Sequence, residues 1–334
     1  MKMLRRIGVL TSGGDAPGMN AAVRSVVRTA IKSGLEVYGI RRGYHGLMEG
    51  DISSMEFRSV ADILQRGGTI LKTARSEEFK TEEGRKRALL QMRRFFLDAL
   101  VVIGGDGSFR GAIELDKIGV PVIGIPGSID NDIGCTDYSI GFDTAANTVV
   151  DAINKIRDTA SSHERTYVIE VMGRHSGHIA VSAGLASGAE AVLIPEYKPD
   201  MEALCERVVD TQRRGKAHCI IIVAEGLFAE TDNAIPHEGS ALKVGRIITE
   251  TTGIETRITI LGHLQRGGAP TVFDRTIATL MGAKAIELLI SGESGMMVGY
   301  VNNKPSFCPL ELAIQSRKPI DQELLALSDL LAGF

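Results

Sequence analysis

The sequence predicts an α/β protein organised as two doubly wound lobes, and three observations lead there. Short apolar runs at residues 98–103, 120–125 and 219–224, the second bounded by Gly and Pro, have the length and β-branched content of interior strands. Amphipathic stretches of helical length lie between such runs, so strand and helix alternate along the chain, as they do in sheets covered on both faces. The 334 residues also exceed what one hydrophobic core usually organises.

Residues 6–10 form the first strand, and Thr11-Ser12-Gly13-Gly14-Asp15-Ala16-Pro17-Gly18-Met19-Asn20 is a glycine-rich loop feeding a helix over 20–33, closed by Gly34. Such a turn leaves backbone N–H groups free at the helix start, which suits a phosphate. An ordinary tight βα connection has the same composition. The P-loop pattern G-x-x-x-x-G-K-[ST] is absent from it. Residues 36–40 are the next strand, and the glycine-rich segment 42–50 leads to a short helix over 59–65, ended by Gly67-Gly68. Arg75 and Ser76 follow in a loop, where the arginine is open to a phosphate or to solvent. Residues 80–96 read as a strongly basic amphipathic helix, with Ala88, Leu89, Met92, Phe95 and Phe96 near helical spacing and a wet outer face of arginines.

The strand at 98–103 runs directly into Gly104-Gly105-Asp106-Gly107-Ser108 and then a helix to Ile118, capped by Gly119. Glycines in such a turn let backbone approach a ligand, and Asp106 stands where a Mg²⁺-phosphate group needs a carboxylate. A dinucleotide fingerprint fails by register, because Arg110 falls where the third glycine belongs, which favours a nucleotide phosphate over NAD. The strand at 120–125 breaks at Pro126-Gly127 and delivers Ser128, Asp130 and Asp132. Ligands of open α/β sheets bind at the carboxyl ends of strands. An extended loop would place both aspartates on one side, one to take a proton from a hydroxyl and the other to orient a base or a metal. Asp-Asn-Asp is also ordinary turn composition, and the segment alone leaves both readings open.

Further on come a helix over 143–158, a strand at 167–172, the turn Gly173-Arg174-His175-Ser176-Gly177 opening another helix, a strand at 191–194, a helix over 200–213 and the strand 219–224 ending at Glu225-Gly226. Residues 228–239 are polar, carry Pro236 and Gly239, and read as a mobile loop. A helix over 242–251, a strand at 257–261, the turn Gly262-His263-Leu264-Gln265-Arg266-Gly267-Gly268, a long helix over 274–290, a strand at 297–301 and a helix from about 320 finish the chain.

Composition excludes several classes. A formal net charge of -3 argues against non-specific nucleic-acid binding. Cys135, Cys205, Cys219 and Cys308 form no C-x-x-C pair and no metal spacing, which is the usage of reduced thiols in the cytoplasm. Gly8 cuts the only apolar run near the basic N-terminus, so a signal peptide is not expected, and no segment has the length of a membrane span. His163, His175, His218 and His263 share no metal spacing, and none accompanies a nucleophile elbow, so hydrolase chemistry has little support.

The two glycine-rich loops at 13–20 and 104–108, the segment Pro126-Gly127-Ser128-Ile129-Asp130-Asn131-Asp132, Met172-Gly173-Arg174 and the turn at 262–268 stand in series across nearly the whole chain. Together they resemble the bacterial 6-phosphofructokinase family, in that family's order. The resemblance implies phosphoryl transfer from ATP to the 1-hydroxyl of fructose 6-phosphate, with Mg²⁺, in a cytoplasmic homotetramer whose active and effector sites lie between subunits. It implies an ATP-binding lobe of residues 1–141 plus 264–314 and a fructose 6-phosphate-binding lobe of 142–263 plus 315–334, with the active site in the cleft between them.

Carried over by position, Asp130 is the base for the sugar hydroxyl, Asp132 its neighbour near the metal, Asp106 the acid facing Mg²⁺-ATP, and Ser128 and Arg174 complete the catalytic set. Gly14, Arg75, Ser76, Gly105, Gly107 and Ser108 line the nucleotide. Ile129, Met172, Gly173, Glu225, His263, Leu264, Gln265 and Arg266 hold the sugar phosphate, with Arg165 and Arg257 supplied by an adjoining subunit. Arg24, Arg28, Arg58, Arg157, Gly188, Glu190, Arg214, Lys216 and His218 fall in the family's effector site, which implies ADP or phosphoenolpyruvate as effectors. Three departures stand out. Ser128 replaces the family's usual Thr and keeps the hydroxyl, residues 228–239 are longer than in the shorter bacterial relatives, and Phe57-Arg58 inverts the order of arginine and aromatic found in some of them. A pyrophosphate-dependent branch typically carries Asp at the position of Gly107 and Lys at that of Gly127, so both glycines favour ATP. Lipid and NAD kinases share Gly-Gly-Asp-Gly but lack the set Arg174, His263 and Arg266, and a non-catalytic sugar-phosphate sensor would have lost Asp130 or Asp106.

Overall fold

The computed structural model describes residues 4–163, 165–216, 218–228 and 239–332. It divides into two compact units, one of Met1–Ile129, Ile133–Thr144 and Arg266–Lys318, the other of Asp130–Asp132, Ala145–Gln265 and Pro319–Phe334.

The first unit is built on a seven-stranded sheet in the order β11-β10-β5-β4-β1-β2-β3. Its interior strands β1 (Arg6–Ser12), β2 (Glu36–Ile40), β4 (Ala99–Gly104), β5 (Val122–Pro126) and β10 (Met296–Val301) run parallel, while β3 (Ile52–Met55) and β11 (Lys304–Pro309) close the edges antiparallel. Parallel pairing needs crossovers, and α1 (Met19–Lys32), α4 (Asp106–Lys117) and α9 (Val272–Ser291) help supply them. Burial on both faces explains why β4 is apolar at every position. Ser12 stands opposite Gly104, and Gly104 opposite Pro126, so the loops after β1, β4 and β5 leave from one edge.

Four expectations are revised here. The glycine-rich segment 42–50 is itself a helix, α2 (Gly43–Glu49), because Tyr44, Leu47 and Met48 are buried and Tyr44 stacks on Phe79 at 4.0 Å. Burial outweighs the cost of glycine in so short a helix. Residues 59–65 are turns rather than a helix, since Asp62 takes a left-handed φ of 51° that no continuing helix admits. The basic helix starts later than expected: η1 (Glu78–Lys80) precedes α3 (Glu82–Arg94), which the Thr81 hydroxyl caps by accepting from the Gly84 N–H at 3.1 Å. Phe96 leaves the apolar stripe; it is 70% exposed, with the Arg6 guanidinium 5.5 Å from its ring.

In the second unit a four-stranded sheet runs β7-β8-β6-β9, formed by β6 (Thr166–Val171), β7 (Ala191–Leu193), β8 (Cys219–Ala224) and β9 (Thr256–Ile260), all parallel. Helices α6 (His178–Ser187), α7 (Met201–Arg213), α8 (Ser240–Thr252) and α11 (Gln322–Leu331) pack on it. Residues 229–238, most of the segment read as a mobile loop, lie outside the described residues. Among the described residues no helix is long and apolar enough to cross a membrane.

Candidate active site

In the first unit two glycine-rich loops meet at the start of α4. A Cβ on Gly104 would lie 2.5 Å from both the Ser108 Oγ and the Ser12 carbonyl oxygen, so only glycine lets the ends of β1 and β4 close on the helix. Gly105 and Gly107 differ in kind. A Cβ on Gly105 would meet only the Ser128 Cβ, at 3.9 Å, and one on Gly107 would meet nothing within 4 Å. Their backbone borders open space at a helix N-terminus, which concentrates partial positive charge and unpaired N–H groups, and Asp106 opens the same turn. A phosphate fits that disposition. Arg266 lies across the first loop, with its Nη1 donating to the Asp15 carbonyl at 3.0 Å and standing 2.6 Å from where a Gly14 Cβ would be. Gly14, Gly105, Asp106, Gly107, Ser108, Ser128 and Arg266 are thus gathered through these contacts. Arg75 is exposed, and the Ser76 hydroxyl accepts from the Phe79 N–H at 3.2 Å, capping a short turn.

Asn20 stands where the first glycine-rich loop enters its helix, as the sequence places it, and the sequence assigns its side chain no partner. Buried at the start of α1, it donates from Nδ2 to the Arg66 carbonyl at 3.1 Å and accepts from the Ile70 N–H at 2.8 Å, holding residues 66–70 in place.

The loop after β5 is not extended. Asn131 has a φ of 52°, so the backbone turns between the two aspartates and strict alternation does not place them on one side. Asn tolerates that conformation, and Asp130 and Asp132 part in burial: the first is 5% exposed, the second intermediate. In the second unit the Ser176 hydroxyl donates to the Asp130 carbonyl at 2.9 Å, and Arg174 Nε lies 3.9 Å from Asp130 Oδ2.

The turn after β6 is pinned from β8. Glu225 Oε1 accepts from the Gly173 N–H at 3.2 Å and the Arg174 N–H at 2.8 Å, holding Arg174 at a left-handed φ of 53°. Gln265 is wholly buried, accepts from the Met172 N–H at 3.1 Å and donates to the Gly262 carbonyl at 3.1 Å, so it braces the turn from within the fold. His263 and Leu264 are exposed. Glu170, which sequence reasoning passed over, caps α8 by accepting from the Ala241 N–H at 2.9 Å; burial pushes its pKa up and the Glu225 charge adds to that.

Arg165 and Arg257 stand apart from this group. Arg165 precedes β6 and Arg257 is the second residue of β9, at the amino edge of the parallel sheet, whereas Met172, Glu225 and His263 follow the carboxyl ends of their strands. Both arginines reach Glu255, at 3.7 and 2.5 Å.

A second cluster gathers elsewhere in this unit. Arg157 reaches His218 at 3.2 Å and donates to the Ser187 carbonyl, and Lys216 pairs with the buried Glu190 at 2.5 Å. Burial pushes the His218 pKa down, and Arg157 and Lys216 add to it. Gly188 ends α6 at a left-handed φ of 62°, and Arg214 follows α7. Arg24 and Arg28 stand one turn apart on α1 in the first unit, where Arg28 stacks 4.2 Å from the Phe57 ring centroid; Arg58 is exposed. Among the described residues no group of three or more His, Cys, Asp or Glu could hold a metal ion by itself.

Comparison with known proteins follows the same lines. The family model described as Phosphofructokinase matches residues 6–289. The ATP-dependent 6-phosphofructokinase of Halothermothrix orenii is 57% identical over 332 residues, covering 98% of this chain and 100% of its own. That of Halalkalibacterium halodurans is 56% identical over 329 residues, with the same shares covered. Among solved structures, Pichia pastoris phosphofructokinase in the T-state superposes with a TM-score of 0.86 at 36% identity, covering 94% of this chain and 38% of the longer fungal one.

Proposed function

The chain belongs to the phosphofructokinase family, and on that premise we infer that it transfers the γ-phosphoryl group of ATP to the 1-hydroxyl of fructose 6-phosphate, giving fructose 1,6-bisphosphate and ADP. The observation that carries the choice of donor is the open space at Gly107 beside Asp106, which accommodates a donor with bulk beyond its phosphates. Bacterial relatives more than half identical over their whole length bear the name of the same reaction.

Asp130 takes the proton of the 1-hydroxyl as that oxygen attacks phosphorus. Its burial shields the transfer from water, and Arg174 balances its charge and that of the phosphoryl group. Backbone N–H groups at the start of α4 hold the donor's phosphates in line, and positioning of this kind supplies most of the catalysis in phosphoryl transfer. Asp106 and Asp132 are the carboxylates that would hold Mg²⁺, which neutralises phosphate charge when bound with the nucleotide. Ser128 orients the acceptor. Met172, Gly173, Glu225, His263, Leu264 and Arg266 hold the sugar phosphate, while the place of Arg165 and Arg257 at the far edge of their sheet supports their serving the site of an adjoining subunit in a homotetramer. The cluster at Arg157, Glu190, Lys216 and His218, together with Arg24 and Arg28 from a neighbour, serves as an effector site for ADP or phosphoenolpyruvate. We place the enzyme in the cytoplasm.

The test is formation of fructose 1,6-bisphosphate with fructose 6-phosphate, Mg²⁺ and either ATP or pyrophosphate. ATP is expected to support turnover and pyrophosphate to fail. Turnover with pyrophosphate alone would overturn the donor assignment, and none with either would overturn the reaction.

A further inference from the structure

Asp274 is wholly buried in the third position of α9 and is none of the residues expected to touch a substrate. Thr271 caps that helix, its hydroxyl accepting from the Asp274 N–H at 3.2 Å. In an ordinary capping box the acidic side chain at this position bonds back to the N–H of its own cap. Here it does not. The Asp274 carboxylate reaches the first turn of another helix, α5 (Phe142–His163), accepting from the Gly141 N–H at 2.8 Å, the Thr144 N–H at 2.8 Å and the Thr144 hydroxyl at 2.5 Å. The displaced Thr271 N–H donates to that hydroxyl instead, at 3.1 Å. One carboxylate therefore caps the N-termini of two helices, whose dipoles both favour negative charge there.

Three loops of the candidate site rest on this node. Residues 139–141 run beside the segment carrying Ser128: the Ile140 N–H donates to the Pro126 carbonyl at 3.0 Å, the Ser128 N–H to the Ile140 carbonyl at 3.1 Å, and the Ser139 hydroxyl to the Ser128 carbonyl at 2.8 Å. Gly18, which ends the first glycine-rich loop, admits no Cβ without meeting the Ile140 side chain at 2.7 Å and the Asp274 Cβ at 3.5 Å. Arg266, which lies across Gly14, is five residues upstream of the Thr271 cap. We propose that Asp274 is a positioning residue for phosphoryl transfer, setting the relative register of the loops that carry Gly14, Ser128 and Arg266 by capping α5 and α9 at once. The assignment rests on the kinase reading for its effect on rate but not for its effect on the loops.

Three variants separate positioning from mere stability. Asp274→Asn presents an amide where two backbone N–H groups need acceptors, and Thr144→Val removes the shared hydroxyl without changing shape, whereas Thr144→Ser keeps it. Misplacement of reacting groups by about 1 Å can cost ~100-fold, so kcat per folded enzyme is expected to fall about tenfold or more in the first two variants. The KM for fructose 6-phosphate, most of whose contacts arise in the other unit, is expected to stay within about threefold, and Thr144→Ser to recover most of the native kcat. Amide hydrogen exchange in peptides spanning 126–128 and 139–144 is expected to quicken about tenfold in the same two variants, with β2 and β3 unchanged. A kcat within about twofold of native in folded Thr144→Val and Asp274→Asn would overturn the proposal. If Asp274→Asn does not fold, the Val and Ser pair decides alone. Should the native enzyme not turn over, the kinase reading falls, and unchanged exchange would still refute the role of Asp274.

Discussion

Gly107→Asp tests donor choice with the fold held fixed. A Cβ at this position meets nothing within 4 Å, so the side chain enters open space rather than the core. An acid in the first turn of α4 interacts favourably with the helix dipole, by about 0.3 to 1 kcal/mol. Repulsion from the neighbouring Asp106 offsets this, and the melting temperature is expected to stay within about 2 °C of native. Nucleotide binding has no such compensation. A carboxylate about 5 Å from a phosphate charge costs roughly 0.8 kcal/mol in bulk water and roughly 3.3 kcal/mol at an effective dielectric near 20. The KM for ATP is therefore expected to rise between about fourfold and about 300-fold. Pyrophosphate, which has no nucleoside to exclude, should suffer less, so the donor ratio shifts toward it. Gly127→Lys makes the contrast, because its Cβ would lie 2.9 Å from the Met19 Cε and 3.4 Å from Ile103, so that variant must disturb the core as well. Initial-rate kinetics with both donors, on protein of confirmed melting temperature, read the effect. A KM for ATP within about twofold of native, worth only ~0.4 kcal/mol, would refute the reasoning.

Asp130→Asn keeps shape but removes basicity, so kcat is expected to fall about 10² to 10⁴-fold with a much smaller change in the KM for fructose 6-phosphate; a near-normal kcat would exclude Asp130 as the base. Burial raises the Asp274 pKa from 3.8 to about 6, against the Thr144 and Gly141 bonds and with help from Asp143. A raised folded value means the folded state binds the extra proton, so this group's stabilising contribution is present below its unfolded value and is lost as pH rises through about 6. Relative to Asp274→Asn, native stability should thus fall by up to about 3 kcal/mol between about pH 4 and pH 7, and a flat difference in denaturant midpoints across that range would contradict it. Arg28→Ala is expected to remove the response of the fructose 6-phosphate saturation curve to ADP or phosphoenolpyruvate, since a charged hydrogen bond to phosphate is worth about 1.5 to 3 kcal/mol. Identical curves with and without effector in the native enzyme would refute the site itself.

What could be read from the sequence is what is local in it. Interior parallel strands are apolar at nearly every position, which is why β8 falls at the residues expected for it and the loops after β1 and β4 were found. Glycine content misled at α2, where a stacked Tyr44 and buried Leu47 decide, and edge strand β11 escaped notice because Pro305 and intermediate burial give it no apolar run. The same divide runs through the site. Asp106, Ser128 and Asp130 announce themselves because each follows a strand, and their chemistry is written within a few residues. The groups that hold such residues in place act over long separations: Gln265 on Met172 is 93 residues away, Asp274 on Gly141 133, and Arg266 on Asp15 251. No periodicity encodes those partners. A faint signal did exist at Thr271 and Asp274, whose spacing is that of a capping box and would have started α9 at Val272. Even so, the pattern predicts a carboxylate turned back on its own helix, and only the fold reveals that α5 has taken it. A buried carboxylate must find donors wherever the chain brings them, so the support of a site is legible in three dimensions and its chemistry in one.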